Sequence, residues 1–309
     1  MSFFLAVALG ALVACGGERK EGVVELDLGG TIRDLGSDDL EVSSRAQSRL
    51  AAVGSPALPA LAAALRQEPE PVRLGAIEVL AEMDGDEASR TLVGALSDPA
   101  VQVRADAAFA LRSRRGAEVD RALVQALDDP AAPVRQRAAV ACGAACRSGD
   151  AIRVLVARAL DDPEASVASS ASTSLARLRA ADEALARAVD AAVLAAAPAR
   201  LAGADAGRRA PAAILLAEIG DARGAPTLEA LVNEGGDTRM RLKVVYALGQ
   251  VGGPSAVPLL RGLLGDSAMA AYAYDAIRRA AARGVAGAEA ALAGYDGPRP
   301  LAPLPPPYW

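Results

Sequence analysis

From about residue 38 onward, apolar positions fall every three to four residues, and the arrangement itself repeats. Val103, Ala107, Ala110 and Leu111 stand at i, i+4, i+7 and i+8, and Val119, Ala122, Leu123, Ala126 and Leu127 at i, i+3, i+4, i+7 and i+8. Each set lies along one face of a helix, so the spacing predicts two amphipathic helices in succession. Three stretches align without gaps: "PEPVRLGAIEVL" from Pro69, "DPAVQVRADAAFAL" from Asp98 and "DPAAPVRQRAAVAC" from Asp129. Val72-Arg73, Val103-Arg104 and Val134-Arg135 recur at one constant step along the chain. Self-similarity at a fixed period is the signature of a repeat array.

Punctuation between the helices is as regular as the stripes. Asp98-Pro99, Asp129-Pro130 and Asp162-Pro163 place an acceptor before a proline, which reads as an N-cap followed by a first helical residue that needs no N–H. Within each pair, "DGD" at 84–86, "SGD" at 148–150 and "IGD" at 219–221 end one helix and start the next. On this pattern about eight units begin near Asp38, Pro69, Asp98, Asp129, Asp162, Gly207, Asp237 and Asp266. Two places depart from it. Val167-Ala168 replaces the Val-Arg pair in the fifth unit, and "APARLAGADAG" at 197–207 interrupts the register before the sixth, so the array is expected to bend or loosen near residue 200.

Composition narrows the fold and the chemistry. Hydrophobic residues make up 52% of the 309 but aromatic residues only 3%, so the core must be built from Ala, Leu and Val. Ala and Leu favour helix and strand formers are scarce, which gives an all-α fold class. A net charge of −5 offers no clustered positive surface for nucleic acid. The chain has no histidine, which removes Ser-His-Asp and Cys-His nucleophiles, His-ligated metal sites and histidine proton shuttles. Carboxylate, Lys and Tyr chemistry remain, but no Gly-rich phosphate loop, G-x-S-x-G or HExxH motif accompanies them. No cofactor and no small-molecule substrate is expected.

The D-P…V-R…A-A…A-L…G-D skeleton resembles HEAT repeats, specifically the short bacterial type called PBS-lyase HEAT-like. The resemblance covers residues 37–294 and implies a right-handed α-solenoid of about eight helix pairs. A lone pair cannot bury its stripe, so neighbours stack around one continuous core. In the family, the recurring Arg and Asp tie each repeat to the next by hydrogen bonds. That implies a structural ladder of Arg45, Arg73, Arg104, Arg135 and Arg241 with Asp98, Asp129 and Asp162; an anion-binding Arg row is the minority reading. If the second helices line a concave face, their exposed positions, such as Arg121 and Gln125, are candidates for partner binding.

The N-terminus and C-terminus stand outside the repeats. Residues 3–14 are apolar but fall well short of the roughly 20 residues needed to span a bilayer. They have the length of a signal-peptide hydrophobic region, and Leu12-Val13-Ala14-Cys15 resembles the lipobox of bacterial lipoproteins. The resemblance implies that residues 1–14 are cleaved and that Cys15 becomes an acylated N-terminus, with residues 15–36 as a tether. It points to the bacterial cell envelope, facing the periplasm from the outer membrane. At the other end, residues 295–309 carry six prolines between Pro298 and Pro307, which favour a disordered polyproline II arm. "PPPY" formally matches a WW-domain ligand, and Tyr308 and Trp309 could pack back onto the last repeat.

Cys142 and Cys146 are the other cysteines. Cys142 aligns with the core positions Leu80 and Leu111, so two buried thiols are the first expectation; after export a disulfide becomes chemically accessible, though i, i+4 on a helix suits one poorly. These features together lead to a non-enzymatic, lipid-anchored scaffold that binds another protein. The alternative is an enzyme or chaperone like the bilin lyases after which the repeat type is named, acting on a pigment-binding protein. HEAT-like DNA glycosylases fit poorly with the net charge, and HEAT-like iron hydroxylases need histidines that the chain lacks.

Overall fold

Seventeen helices account for most of the described chain, and their order follows the repeat pattern. The computed structural model describes residues 4–6, 25–202, 206–234 and 237–307. Cys15, Tyr308 and Trp309 lie outside them. The chain divides into two units, Met1–Ala151 and Ile152–Trp309.

The first unit begins with a short antiparallel pairing of β1 (Phe4–Ala6) with β2 (Glu25–Asp27), the two strands among its described residues. Helix α1 (Leu28–Asp34) then folds from the segment expected to be a tether. Leu28, Ile32 and Leu35 at i, i+4 and i+7 are buried, and α1 packs on α2 (Leu40–Val53) and α3 (Leu58–Gln67). The pairs α4 (Glu70–Glu82) with α5 (Asp86–Ala95) and α6 (Val101–Ala110) with α7 (Ala117–Ala126) follow, then α8 (Ala132–Ala145). First helices stack in one layer, α2 on α4 on α6 on α8, and second helices in another, α3 on α5 on α7. The stripe of Val103, Ala107, Ala110 and Leu111 and that of Val119, Ala122, Leu123, Ala126 and Leu127 are both buried between these layers. Gly85 and Gly116, at φ 111° and 126°, make the turns into α5 and α7, a backbone conformation that a Cβ would strain.

Helix α9 (Gly149–Asp161) crosses the division between the units. The second unit continues with α10 (Ala165–Ala181), α11 (Glu183–Leu201), α12 (Ala206–Glu218), α13 (Ala225–Glu234), α14 (Thr238–Val251), α15 (Ala256–Gly262), α16 (Ala270–Ala282) and α17 (Ala288–Ala291). From α12 on, the two-layer scheme holds: α12 packs on α14, α14 on α16, and α13 on α15. Before α12 it does not. There α10 packs on α11 and α11 on α12, so the second helix of the fifth pair, long and with Pro198 inside it, carries the stacking across the place where the register breaks. Where the scheme is regular, helices approach closely: a Cβ on Gly249 would lie 2.9 Å from the Ala276 Cα.

Two readings of the helix boundaries change. The helices that follow Asp98, Asp129 and Asp162 begin three positions later than those aspartates, so none of them is an N-cap. Each aspartate instead accepts the N–H two positions on, from Ala100 and Ala131 at 2.8 Å and from Glu164 at 3.0 Å. The proline between sits in this Asx-type turn, where the short carboxylate reaches the backbone more easily than from a cap. The Cys pair also differs from the first expectation. Cys142 and Cys146 form a disulfide with Cα atoms 4.6 Å apart, both residues fully buried. Helix α8 ends at Ala145, so Cys146 is its C-cap and stands where the backbone leaves the helix.

Candidate functional site

The repeated Arg and Asp meet as a ladder. Arg73 donates from Nε and Nη2 to the two oxygens of Asp98, both at 2.8 Å, and from Nη1 to the Glu68 carbonyl at 2.9 Å. Arg104 repeats this on Asp129 at 2.8 and 3.0 Å, with Nη1 on the carbonyls of Asp98 and Pro99. A planar guanidinium and a carboxylate match as a two-pronged fork, and these pairs are 14% and 4%, and 13% and 10%, exposed. Arg241 reaches Asp266 at 3.2 Å in a more open setting. All three pairs have the same sequence separation, which places each aspartate at the start of the repeat after its arginine. Arg135, itself buried, donates Nη1 to the carbonyls of Asp129 and Pro130. Asp162 pairs with Arg158, one turn back, at 3.4 Å.

Electrostatics follow from the fork. The hydrogen bond to its aspartate raises the pKa of Arg73 and of Arg104, against the opposing effect of burial. Burial pushes the Asp129 carboxyl up, but the Arg104 fork, the Ala131 N–H and the charges of Arg104 and Arg135 together hold it below the usual range. The guanidiniums of Arg73 and Arg104 are therefore spent inside the protein, which sets aside their use as anion-binding groups. Arg45 is a correction. It pairs with Glu41 on its own helix at 2.5 Å and is 55% exposed, because no aspartate precedes α4 and the residue at the ladder's separation from it is Glu70.

A second set of arginines was not anticipated from the sequence. Arg114 is buried and donates Nη2 to the carbonyls of Leu80, Ala81 and Met83, which end the first helix of the preceding repeat. Arg283 does the same for Gly249 and Gly252 at the end of α14. Helix C-termini leave carbonyls without intrahelical partners, and these side chains supply donors. The signal was present: Arg114 follows Met83, and Arg283 follows Gly252, at the same step by which the Val-Arg pairs recur.

With these arginines committed to holding repeats together, a candidate for recognition is a cleft of about 380 Å³ in the second unit. It opens beside the irregular junction of α10, α11 and α12 and extends to α14 and α16. Leu175 from α10, Val189 and Val193 from α11 and Leu215 from α12 form a buried apolar floor. Arg179, Glu218, Tyr246, Gln250 and Arg279 add polar groups. Two of these are fixed by neighbours: Arg179 pairs with Asp190 at 2.7 Å, and the Arg279 guanidinium lies over the Tyr246 ring at 4.8 Å while its Nε bonds Asp275 at 2.7 Å. Lys243, one of two lysines, stands near this seam and donates to Ser169 on α10 at 3.3 Å. Burial lowers its pKa, with the Glu218 charge opposing. Arg121 and Gln125 are exposed one turn apart on α7, in the first unit. Among the described residues, no group of three or more Cys, Asp or Glu is placed to hold a metal ion.

Comparison with known proteins agrees with this architecture. Residues 32–112, 89–176 and 194–283 match the description of HEAT repeats. No curated protein sequence matches the chain. The crystal structure of YibA from Escherichia coli is similar at a TM-score of 0.53 and 18% identity, covering 82% of this chain and 92% of that one. The CpcE–CpcF complex of phycocyanin lyase from Nostoc sp. is similar at 0.38 and 22%, covering 80% and 97%. Human deoxyhypusine hydroxylase is similar at 0.33 and 20%, covering 82% and 95%. At 18% identity the likeness to YibA describes the fold alone.

Proposed function

The chain belongs to the HEAT-repeat family, and from that premise we propose that it is a non-enzymatic, lipid-anchored scaffold of the bacterial cell envelope whose second unit binds an apolar segment of a partner protein. The observation that carries this reading is the cleft: its apolar floor and mixed polar groups suit side chains inserted from another protein, and pockets of this character are the default binding sites of a fold. The repeated charged residues support it by exclusion, since those of the ladder bond one another. The resemblance of Leu12–Cys15 to a lipobox supports the anchor, which holds the scaffold where envelope partners diffuse in two dimensions.

Site-specific photocrosslinking from Gln250 in cells tests the cleft. A discrete crosslinked partner should appear, and Ala176→Trp, which fills the space from α10, should remove it while leaving the helical content unchanged. The same crosslinked band with and without the bulky side chain would sink the reading. Mass spectrometry of the membrane-bound N-terminus beside a Cys15→Ser variant tests the anchor separately. The expected mature chain starts at an acylated Cys15, and an unmodified chain retaining residues 1–14 would remove that part of the proposal.

A further inference from the structure

The proline-rich tail is not the free arm that its composition suggested. Past α17, Tyr295 stacks on Tyr274 of α16 with ring centroids 5.6 Å apart. Leu304 then lies along α16 with both main-chain groups engaged. Its N–H donates to Asp275 Oδ2 at 3.2 Å, and its carbonyl accepts from Arg279 Nη2 at 2.7 Å. The Pro305 carbonyl accepts from the Tyr272 hydroxyl at 3.3 Å, and Pro307 is buried.

Tyr272, Asp275 and Arg279 stand at i, i+3 and i+7 on one face of α16. Asp275 is 1% exposed and is fixed by Arg278 at 2.6 Å and Arg279 at 2.7 Å, so the acceptor that the tail uses is held rigidly by its own helix. The sequence of the docked segment, Pro303-Leu-Pro-Pro-Pro307, complements this face in a specific way. The proline ring fixes φ in the range that an extended chain needs, so the segment loses little entropy on docking. Prolines also carry no N–H, so laying them on a protein surface strands no donor. Leu304 has the one N–H between Pro303 and Pro307, and it meets Asp275. Recognition here runs through backbone shape and the missing donors rather than through a particular side chain, the logic by which proline-rich peptides are read elsewhere.

We infer that this face of α16 is a groove for extended proline-rich segments, filled in cis by residues 303–307 and in trans by a proline-rich segment of a partner protein. The connection from Leu292 to Pro303 contains Gly294 and Gly297 and no helix, so the tail can leave without unfolding a repeat. The inference deepens the scaffold reading and rests on it for its use in the cell. Its test varies Leu304 and Tyr272, neither of which lines the cleft, so its failure and that of the cleft reading are read from different variants.

The test uses the full chain and a fluorescein-labelled peptide of residues 299–307 in anisotropy titrations. Leu304→Pro keeps the extended backbone but deletes the N–H that Asp275 accepts, so it should release the tail, seen as faster hydrogen exchange over Tyr272–Arg279. That variant should bind the unsubstituted peptide at least about ten-fold more tightly than the wild type, in which the tethered tail competes at an effective concentration on the order of millimolar. Adding Tyr272→Phe should weaken the peptide several-fold by removing the bond to the Pro305 carbonyl. Equal binding by wild type and Leu304→Pro, no binding by either, or an undisturbed tail in Leu304→Pro would each overturn the inference. Concentration-dependent dimers of the wild type that Leu304→Pro abolishes would make the occupant a second copy's tail and overturn the assignment to a partner protein.

Discussion

Replacing Asp129 with Ala removes three hydrogen bonds in one step: the two from Arg104, at 2.8 and 3.0 Å, and the 2.8 Å bond that holds the Ala131 N–H in the turn before α8. Removing one partner of a buried ion pair costs about 3–5 kcal/mol, because the remaining charge is left without its counter-ion. The Arg104 side chain is 13% exposed and keeps its Nη1 bonds to the Asp98 and Pro99 carbonyls, which soften that penalty. The loss should therefore sit near the lower end, about 3 kcal/mol. Arg104→Lys keeps the charge but not the fork, and should cost about 1–2 kcal/mol. Urea denaturation followed by circular dichroism gives both values, and the double variant Arg104→Ala with Asp129→Ala should recover part of the cost of the singles, since neither charge is then stranded. The sign of the pH dependence follows from the depressed Asp129 pKa. Its contribution is complete above the unfolded value of about 3.9 and is lost as pH falls through the lower folded value, so wild type should lose stability in acid more steeply than Asp129→Ala. A cost below about 0.5 kcal/mol for Asp129→Ala would reduce the ladder to an ordinary surface ion pair and refute its role in joining repeats. Stabilisation by millimolar phosphate would restore the anion-binding reading of the Arg row.

Three further outcomes follow. Arg45→Ala removes an exposed i, i+4 pair on one helix and should shift stability by no more than about 0.5 kcal/mol in the same urea assay, in contrast to Arg104. Gly249→Ala places a methyl 2.9 Å from the Ala276 Cα, backbone that cannot move independently of α16, and should cost about 1–3 kcal/mol by thermal or urea melting. Lys243 has a folded pKa below its unfolded 10.5, so the unfolded chain binds more protons between the two and wild-type stability rises with pH through that window. Lys243→Met should raise the urea midpoint at neutral pH and flatten that rise, and a lower midpoint would show that the bond to Ser169 outweighs the burial of the charge.

The ladder was legible because its carriers sit at fixed steps: a Val-Arg once per repeat, and an Asp-Pro where the next helix pair begins. What the pattern could not separate was the job of that aspartate. An Asp before Pro reads as a cap, yet Asp98 gives Oδ1 to both the Ala100 N–H and Arg73, a geometry visible only once two repeats are side by side. Arg45 shows the same limit from the other direction, since it occupies the repeat's Arg position without an aspartate to meet. Helix α1 was obscured by Gly29 and Gly30, although Leu28, Ile32 and Leu35 already carried helical spacing. Asp27 overcomes the glycines by accepting the Gly30 N–H at 3.0 Å, and burial of the apolar face supplies the rest. The tail was misjudged because composition predicts its backbone conformation well and its docking not at all: Asp275, which receives it, had no distinguishing neighbour in the sequence.

Both proposed recognition surfaces lie where the regular two-layer stacking gives way, and there is a physical reason for this. Inside a regular array each helix pair has its apolar face covered and its charged groups matched by the next copy, so a unit that obeys the pattern leaves little unsatisfied surface. Ala168 stands where an Arg would tie the fifth pair into the ladder, and the stacking passes through the long α11 instead of directly from α10 to α12. Closely packed interiors do not stretch to fill such a misfit, so the misfit persists as a cleft with the floor of a core and polar groups from four repeats at its edge. Beside α16, residues 304–307 take the place a neighbouring helix holds elsewhere among the described residues, in an extended form that costs few buried donors. Arg279 belongs to both places, contributing to the cleft beside Tyr246 and holding the Leu304 carbonyl. A ligand in the cleft that draws Arg279 away from Leu304 would weaken the tail's hold, and by reciprocity release of the tail would change the cleft's affinity by the same factor.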